Sequence, residues 1–292
     1  MIIIQLIGGL GNQMFQYALG RSLSIKLNIP FAIDISKFKD YKLWTYRLSS
    51  FNIVENTANW DQVNAITMGF IPFIKLKLTS LHILPYYKLN YIIEPFENYY
   101  TFDPSIFRID KNVYLEGYWQ SEKYFIDIEN IIRNDFTLKR DLIQPNASIL
   151  ERIKKTDSVN IHIRRGDYVT NPVTNQVHGT CSLDYYHKAI DLIARNVDDP
   201  HFYIFSDDIQ WVKENLKTDY PFYYVSNNKN EDYIDLTLMK NCKHHIIANS
   251  SFSWWGAWLS ENPDKIVCAP SKWVNNRDIT LDDLLPNKWV RL

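Results

Sequence analysis

Short apolar runs alternate along the chain with stretches whose apolar residues fall at helical spacing. Ile2 to Ile7 reads as a buried strand. A turn at Gly8 to Gly11 follows, then a helix from Gln13 to Lys26 that carries Met14, Tyr17, Ala18 and Leu23. A second strand at Phe31 to Ile35 completes a βαβ unit. Val113 to Glu116 is a further strand, and a helix is expected from Ser121 to Arg133 with Ser121 as its N-cap. Residues 60–110 are irregular and rich in Tyr and Pro, while the polar stretch 139–157, with Pro145, suits a hinge. Beyond it the alternation is cleaner. Strands are expected at Val159 to Arg164, Phe202 to Ser206, Phe222 to Val225, His245 to Ala248 and Ile266 to Ala269. Helices are expected between them, at Leu183 to Arg195, Ile209 to Leu216, Tyr233 to Lys240 and Phe252 to Leu259. The pattern predicts two Rossmann-like α/β domains, residues 1–150 and 151–292.

Composition narrows the class. With 46% apolar and 22% charged residues over 292 positions, the chain is neither disordered nor collagenous, and it can bury a sizeable core. A formal net charge of −1 gives no general attraction to nucleic acid or to anionic membranes. Cys181, Cys242 and Cys268 have no metal-ligand spacing; packing roles in a reducing compartment are expected, and no zinc site. The N-terminus shows no basic leader or signal-length apolar stretch, so a cytoplasmic protein is expected. Phe70 to Leu84 contains Lys75 and Lys77 and is too short and charged to cross a bilayer. It reads as partly buried, with peripheral contact on the inner membrane as the alternative.

In open α/β sheets ligands bind beyond the carboxyl ends of the strands, so the residues after each strand matter most. The chain has only 9 glycines, yet Gly8, Gly9 and Gly11 crowd the first of these places. Gly8-Gly9-Leu10-Gly11-Asn12-Gln13 is neither a Walker A loop nor Gly-x-Gly-x-x-Gly. It is either a tight packing turn or a backbone that approaches a phosphate or sugar. After the strand at 159 comes His162-Ile163-Arg164-Arg165-Gly166-Asp167-Tyr168. Adjacent arginines at a strand end can clamp a diphosphate, with Asp167 orienting one; the plainer reading is a surface ion pair. Asp207 in Ser206-Asp207-Asp208 can accept from a guanine edge or cap a helix. Ser250, Ser251 and Phe252 open a helix that offers either a second phosphate seat or a cap ahead of core tryptophans. No Asp-x-Asp occurs, so arginines and helix N-termini would have to neutralise any bound diphosphate without a metal.

Four motifs now carry a resemblance. Gly8-Gly-Leu-Gly-Asn-Gln-Met-Phe-Gln-Tyr17, Gly117-Tyr-Trp-Gln-Ser-Glu-Lys-Tyr-Phe125, His162-Ile-Arg-Arg-Gly-Asp-Tyr168 and Ser250-Ser-Phe-Ser-Trp-Trp-Gly256 resemble the bacterial α-1,2-fucosyltransferases of glycosyltransferase family eleven. The stretch 178–186 is similar to that family too, whereas residues 60–110 match least and are expected to hold acceptor specificity. The resemblance implies a GT-B fold, two Rossmann-like domains facing a cleft, with the donor bound mainly by the C-terminal one. It implies metal-independent, inverting transfer of L-fucose from GDP-β-L-fucose to the 2-hydroxyl of a β-galactoside in a cell-surface glycan precursor, with no cofactor. Arg164 would contact the β-phosphate with Arg165 beside it, and His162 and Asp207 would serve the nucleoside. Ser250, Ser251 and Phe252 would hold the phosphates, and Gly9, Gly11, Asn12 and Gln13 would face the sugar. Asp167, His178, Glu116 and Asp34 are the candidate bases, with Asn12 as an alternative that only positions the nucleophile. A fucosyltransferase of other linkage, such as α-1,6, and a non-catalytic sugar- or nucleotide-binding protein are the competing readings.

Overall fold

A computed structural model describes residues 1–40, 43–67, 90–139, 144–225, 231–275 and 279–292. The expected surface segment Phe70 to Leu84 lies outside the described residues, as does part of the expected hinge. The chain divides into two compact units, Met1–Lys139 and Arg140–Leu292. A boundary at 150 would cut the helix Ala147–Lys155. That helix belongs to the second unit because Ile153 is buried there against Tyr203, Phe205 and Leu238.

The first unit is a four-stranded parallel sheet of β1 (Ile2–Gln5), β2 (Phe31–Asp34), β3 (Tyr91–Ile93) and β4 (Val113–Glu116), in the order β2-β1-β4-β3. Every residue of β1 and β2 is buried, as expected for parallel strands covered on both faces. Helix α1 (Leu10–Leu27) connects β1 to β2, and Asn28 ends it in the left-handed conformation that asparagine tolerates. It starts at Leu10, ahead of the expected Gln13. Gly11, Asn12 and Gln13 therefore form its first turn and are not loop residues. The helix expected from Ser121 is two 3-10 turns, Glu122–Tyr124 and Ile126–Ile128, followed by α-helix Glu129–Asp135. The break lets Tyr124, Phe125, Ile128 and Ile132 all turn inward, while Ser121 caps the first turn through Lys123 N–H as expected. β3 and the helix Trp60–Thr67 lie in the stretch that the sequence left unordered.

The second unit is a six-stranded parallel sheet. Its strands are β5 (Asp157–Ile163), β6 (Pro200–Ser206), β7 (Phe222–Tyr224), β8 (His244–Ile246), β9 (Val267–Ala269) and β10 (Val290–Arg291). The order β10-β9-β8-β5-β6-β7 is the doubly wound Rossmann arrangement, with strands added outward on one side of β5 and then on the other. Alternation along β5 sends Val159, Ile161 and Ile163 to one face. There they pack on Tyr186, Ala189, Ile190 and Ile193, the apolar stripe of helix Leu183–Ala194. Cys242 and Cys268 lie in the apolar clusters, and all three cysteines are unpaired. No helix among the described residues is long and apolar enough to cross a membrane.

Candidate functional site

The switch point of the second sheet lies between β5 and β8, where a doubly wound sheet opens a crevice at its carboxyl edge. Parallel register builds the first part of the site. β5 and β6 end together at Ile163 opposite Ser206, so the next residues along, Arg164 and Asp207, come side by side. Arg164 Nη1 is 2.9 Å from Asp207 Oδ2, and its Nη2 donates to Asp167 Oδ1 one turn further along the chain. Arg165 repeats the relation one position on, with Nε 3.1 Å from Asp208 Oδ2 and its guanidinium 3.7 Å over the Trp211 ring. Burial alone would lower the Arg164 pKa, but Asp207 and Asp167 outweigh it and raise it above the ordinary value. The arginine is thus permanently charged and held from two sides.

This arrangement separates readings that the sequence left open. Asp208 is the helix cap, accepting from Trp211 N–H at 3.2 Å. Asp207, expected at the guanine, gives one oxygen to Arg164 and the other to the Arg165 backbone N–H at 2.8 Å. In this structure it acts as the support of the arginine pair. His162 is only 6% exposed and sits 5.5 Å from the Phe252 ring. Burial, reinforced by Arg164, lowers its pKa to about 3, so the imidazole is neutral. Its Nδ1 is buried without a hydrogen-bond partner among the described residues.

The other wall follows β8. Ser250 precedes the helix Ser251–Trp258 with extended backbone and makes no side-chain cap bond. Behind it, Trp254, Trp255 and Trp258 are core, with Trp254 Nε1 donating to Leu284 O at 2.8 Å. Asn249, not singled out from sequence, donates through Nδ2 to the carbonyls of His178 and Trp273, each at 3.1 Å. Tyr168 OH donates to Asn249 O at 3.3 Å, so the segments after β5 and β8 are tied across the switch point. His178 stacks on Tyr168 at 4.9 Å, and the same ring lies 5.4 Å from the Arg164 guanidinium. Burial, and secondarily Arg164, depress the His178 pKa against the opposing pull of Asp167. Gly166 to His178 forms two short helices, Gly166–Thr170 and Pro172–His178. The second was legible as Asn-Pro, because Asn171 caps Val173 and Thr174 N–H groups with Pro172 in the first turn.

The first sheet has its own switch point, between β1 and β4. Gly9 is the N-cap of α1, and a Cβ there would lie 3.3 Å from the Trp44 ring. Gly11 is buried in the first turn. Asn12 Oδ1 accepts from Gln120 Nε2 at 2.9 Å, linking the helix start to the segment after β4. Gln13 is a correction to the sequence reading. It is 0% exposed, donates to Gly8 O and Thr45 O at 2.9 Å each, and accepts from Arg47 N–H at 3.0 Å. Its amide is spent on bracing backbone and does not face a ligand. Asp34 accepts from Tyr114 OH at 2.7 Å and from Ser36 N–H at 2.9 Å, and Glu116 accepts from Tyr91 OH. Sequence reasoning missed Glu94, a buried carboxylate after β3 that takes the Tyr118 and Trp119 N–H groups at 2.6 and 3.1 Å. No local motif marks it, since its role depends on β3 lying beside β4. Among the described residues, no three His, Cys, Asp or Glu side chains are grouped as a metal site.

Two Rossmann-like units, each with polar side chains gathered at its switch point, are the architecture of the GT-B type. The fold is similar to that of the fucosyltransferase NodZ from Bradyrhizobium, with a TM-score of 0.51 at 14% identity over 87% of this chain and 92% of that one. The chain belongs to glycosyl transferase family 11, whose pattern matches residues 65–292. Among its relatives, an α-1,2-colitosyltransferase of Escherichia coli is 34% identical over 100% of this chain and 98% of its own length. The O-antigen biosynthesis glycosyltransferase WbnK of Escherichia coli is 35% identical over 98% of each chain.

Proposed function

We propose that this chain is an inverting α-1,2-glycosyltransferase that moves L-fucose from GDP-β-L-fucose to the 2-hydroxyl of a β-galactoside in a cell-surface glycan precursor. The observation that carries this reading is Arg164, fixed between Asp167 and Asp207 at the β5/β8 switch point with Arg165 beside it. Departure of GDP builds negative charge on the β-phosphate and oxocarbenium character on the sugar. A permanently charged, preoriented guanidinium there binds the transition state better than the ground state. The uncommitted Ser250 hydroxyl and the start of the following helix add donors for the same charge. This machinery would need no metal. The C-terminal unit is accordingly the donor side, and the N-terminal unit the acceptor side.

The acceptor hydroxyl must lose a proton. Asp34, Glu116 and Asp167 each already accept from a protein donor, which weakens them as bases. His178 is kept neutral, since burial holds its pKa below the ordinary value, and it stacks on Tyr168 two contacts from Arg164. It is the base this reading favours.

A second donor has a specific observation behind it, the full-length similarity to an α-1,2-colitosyltransferase. Colitose is L-fucose without its 3-hydroxyl, so the two donors differ by one polar group. Incubation with GDP-fucose and GDP-colitose, each with a panel of galactosides in EDTA and products read by NMR, tests the reading. The expected product is an α-1,2-fucosylated galactoside. Colitose transfer alone would move the assignment to the second donor, an α-1,6 product would overturn the linkage, and GDP binding without transfer would favour a non-catalytic binder.

Gly166 offers an independent check on the arginine support. A Cβ at this position would lie 2.5 Å from Asp207 Oδ2, and the carboxylate is pinned by Arg164 and the Arg165 N–H. Gly166→Ala is expected to displace Asp207 and raise the KM for GDP-fucose roughly tenfold or more, the size of a lost charged hydrogen bond. Steady-state kinetics with unchanged donor KM would count against Asp207 as the support.

A further inference from the structure

We propose that Gln120, together with Asn12, forms a subsite for a neutral sugar hydroxyl at the β1/β4 switch point of the N-terminal unit. Gln120 belongs to the Gly117-Tyr-Trp-Gln motif, to which the transfer reaction above assigns no role. Its side chain is 7% exposed, and its Nε2 donates to Asn12 Oδ1 at 2.9 Å. That bond holds the amide between the segment after β4 and the first turn of α1, the crevice where an α/β sheet seats a ligand. The other end of the amide, Oε1, is buried and has no hydrogen-bond partner among the described residues. Buried amide oxygens in native proteins are nearly always paired, so this acceptor is built for a donor that arrives from outside the chain.

The backbone around it is shaped at a conformational cost. Trp119 has φ of 55°, a left-handed conformation that bulky residues rarely adopt. Gly117 has φ of 156°, and a Cβ there would lie 2.4 Å from Glu94 Cβ. Glu94 holds the turn by accepting from Tyr118 and Trp119 N–H, and Gln16 Nε2 holds Gly117 O at 2.9 Å. Strained turns held from several sides cluster where function requires a fixed geometry. The unsatisfied group at the crevice is an uncharged acceptor. A hydroxyl-bearing sugar fits this chemistry better than a phosphate or a carboxylate.

The proposal rests on the transfer reading, and the hydroxyl can come from the acceptor galactoside or from the sugar of the donor. Titrations of the full chain and its Gln120→Met variant with methyl β-D-galactoside, GDP-fucose and GDP distinguish these sources. Removing the amide should weaken one sugar probe about tenfold, or about 1.4 kcal/mol, while GDP affinity stays as in the parent. Weakening confined to the galactoside assigns the hydroxyl to the acceptor, and weakening of GDP-fucose but not of GDP assigns it to the donor. Gln120→Glu retains an acceptor oxygen and should bind the affected probe more tightly than Gln120→Met. Unchanged affinity for both sugar probes, or an equal loss for GDP, would overturn the subsite. Should the parent bind GDP but transfer nothing, the transfer reading fails, while the galactoside titration still decides the subsite.

Discussion

Arg164→Ala should lower turnover with GDP-fucose by about 10²–10³, the cost of removing one preorganised donor from developing negative charge. The loss should fall mainly on kcat, because the interaction strengthens as the β-phosphate becomes a leaving group. Two acidic neighbours make the effect sharper than a simple deletion. Without the guanidinium, Asp167 and Asp207 lose their ion-pair partner where the proposed donor diphosphate would sit, and their charges would repel it. Arg164→Lys keeps the charge but loses the planar fork that serves both carboxylates and a phosphate together, so an intermediate loss is expected. Steady-state kinetics of both variants check this. Near-normal turnover of Arg164→Ala would remove the arginine from the reaction and with it the observation on which the proposed function rests.

The second large effect is acid lability above the range in which carboxylates titrate. His162 and His245 are buried and uncharged in the folded chain. Burial, then Arg164, takes His162 to about 3, and burial, then Lys265 and His244, takes His245 well below its ordinary value. Both folded-state values are depressed, so the unfolded chain binds these protons first as the pH drops. The stabilisation is complete above about pH 6.5 and is lost as pH falls from there toward the folded-state value, about 3 for His162. With two such groups the slope approaches about 2.7 kcal/mol per pH unit. Glu55 and Asp157 also have lowered values, but their losses begin only below the ordinary carboxylate values of 4.5 and 3.8. Melting temperatures should therefore be level from about pH 7 upward and fall steeply between about pH 6 and 5. His245→Gln should flatten that slope, with His162, His178 and His244 retaining the rest. A level profile through this window would mean that neither imidazole is held neutral by the fold.

Much of the second unit was legible because its strands are buried on both faces and bounded by clear caps. β5, β6, β8 and β9 lie within two residues of where apolar runs placed them. The first unit was harder to read. β3 is a three-residue strand beside β4 in a stretch crowded with Tyr and Pro, where apolar residues have no clean period. At Gln13, a buried glutamine bracing three backbone groups looks, in sequence, like one offered to a ligand. Nothing within the Ser206-Asp207-Asp208 segment reveals that Asp207 has a partner 43 positions upstream at Arg164.

The sequence by itself determined the alternation of strands and helices, the placement of polar clusters at strand ends, and the family motifs. These depend on residues close together in the chain, where periodicity and capping act. Only the tertiary structure decided which cluster meets which. Parallel pairing of Ile163 with Ser206 is what carries Arg164 to Asp207 and Arg165 to Asp208. Tyr168 reaches Asn249, and Gln120 reaches Asn12, because each pair flanks a point where the strand order reverses. Register and strand order are long-range properties, set by which apolar faces pack together, and a local pattern of residues does not encode them.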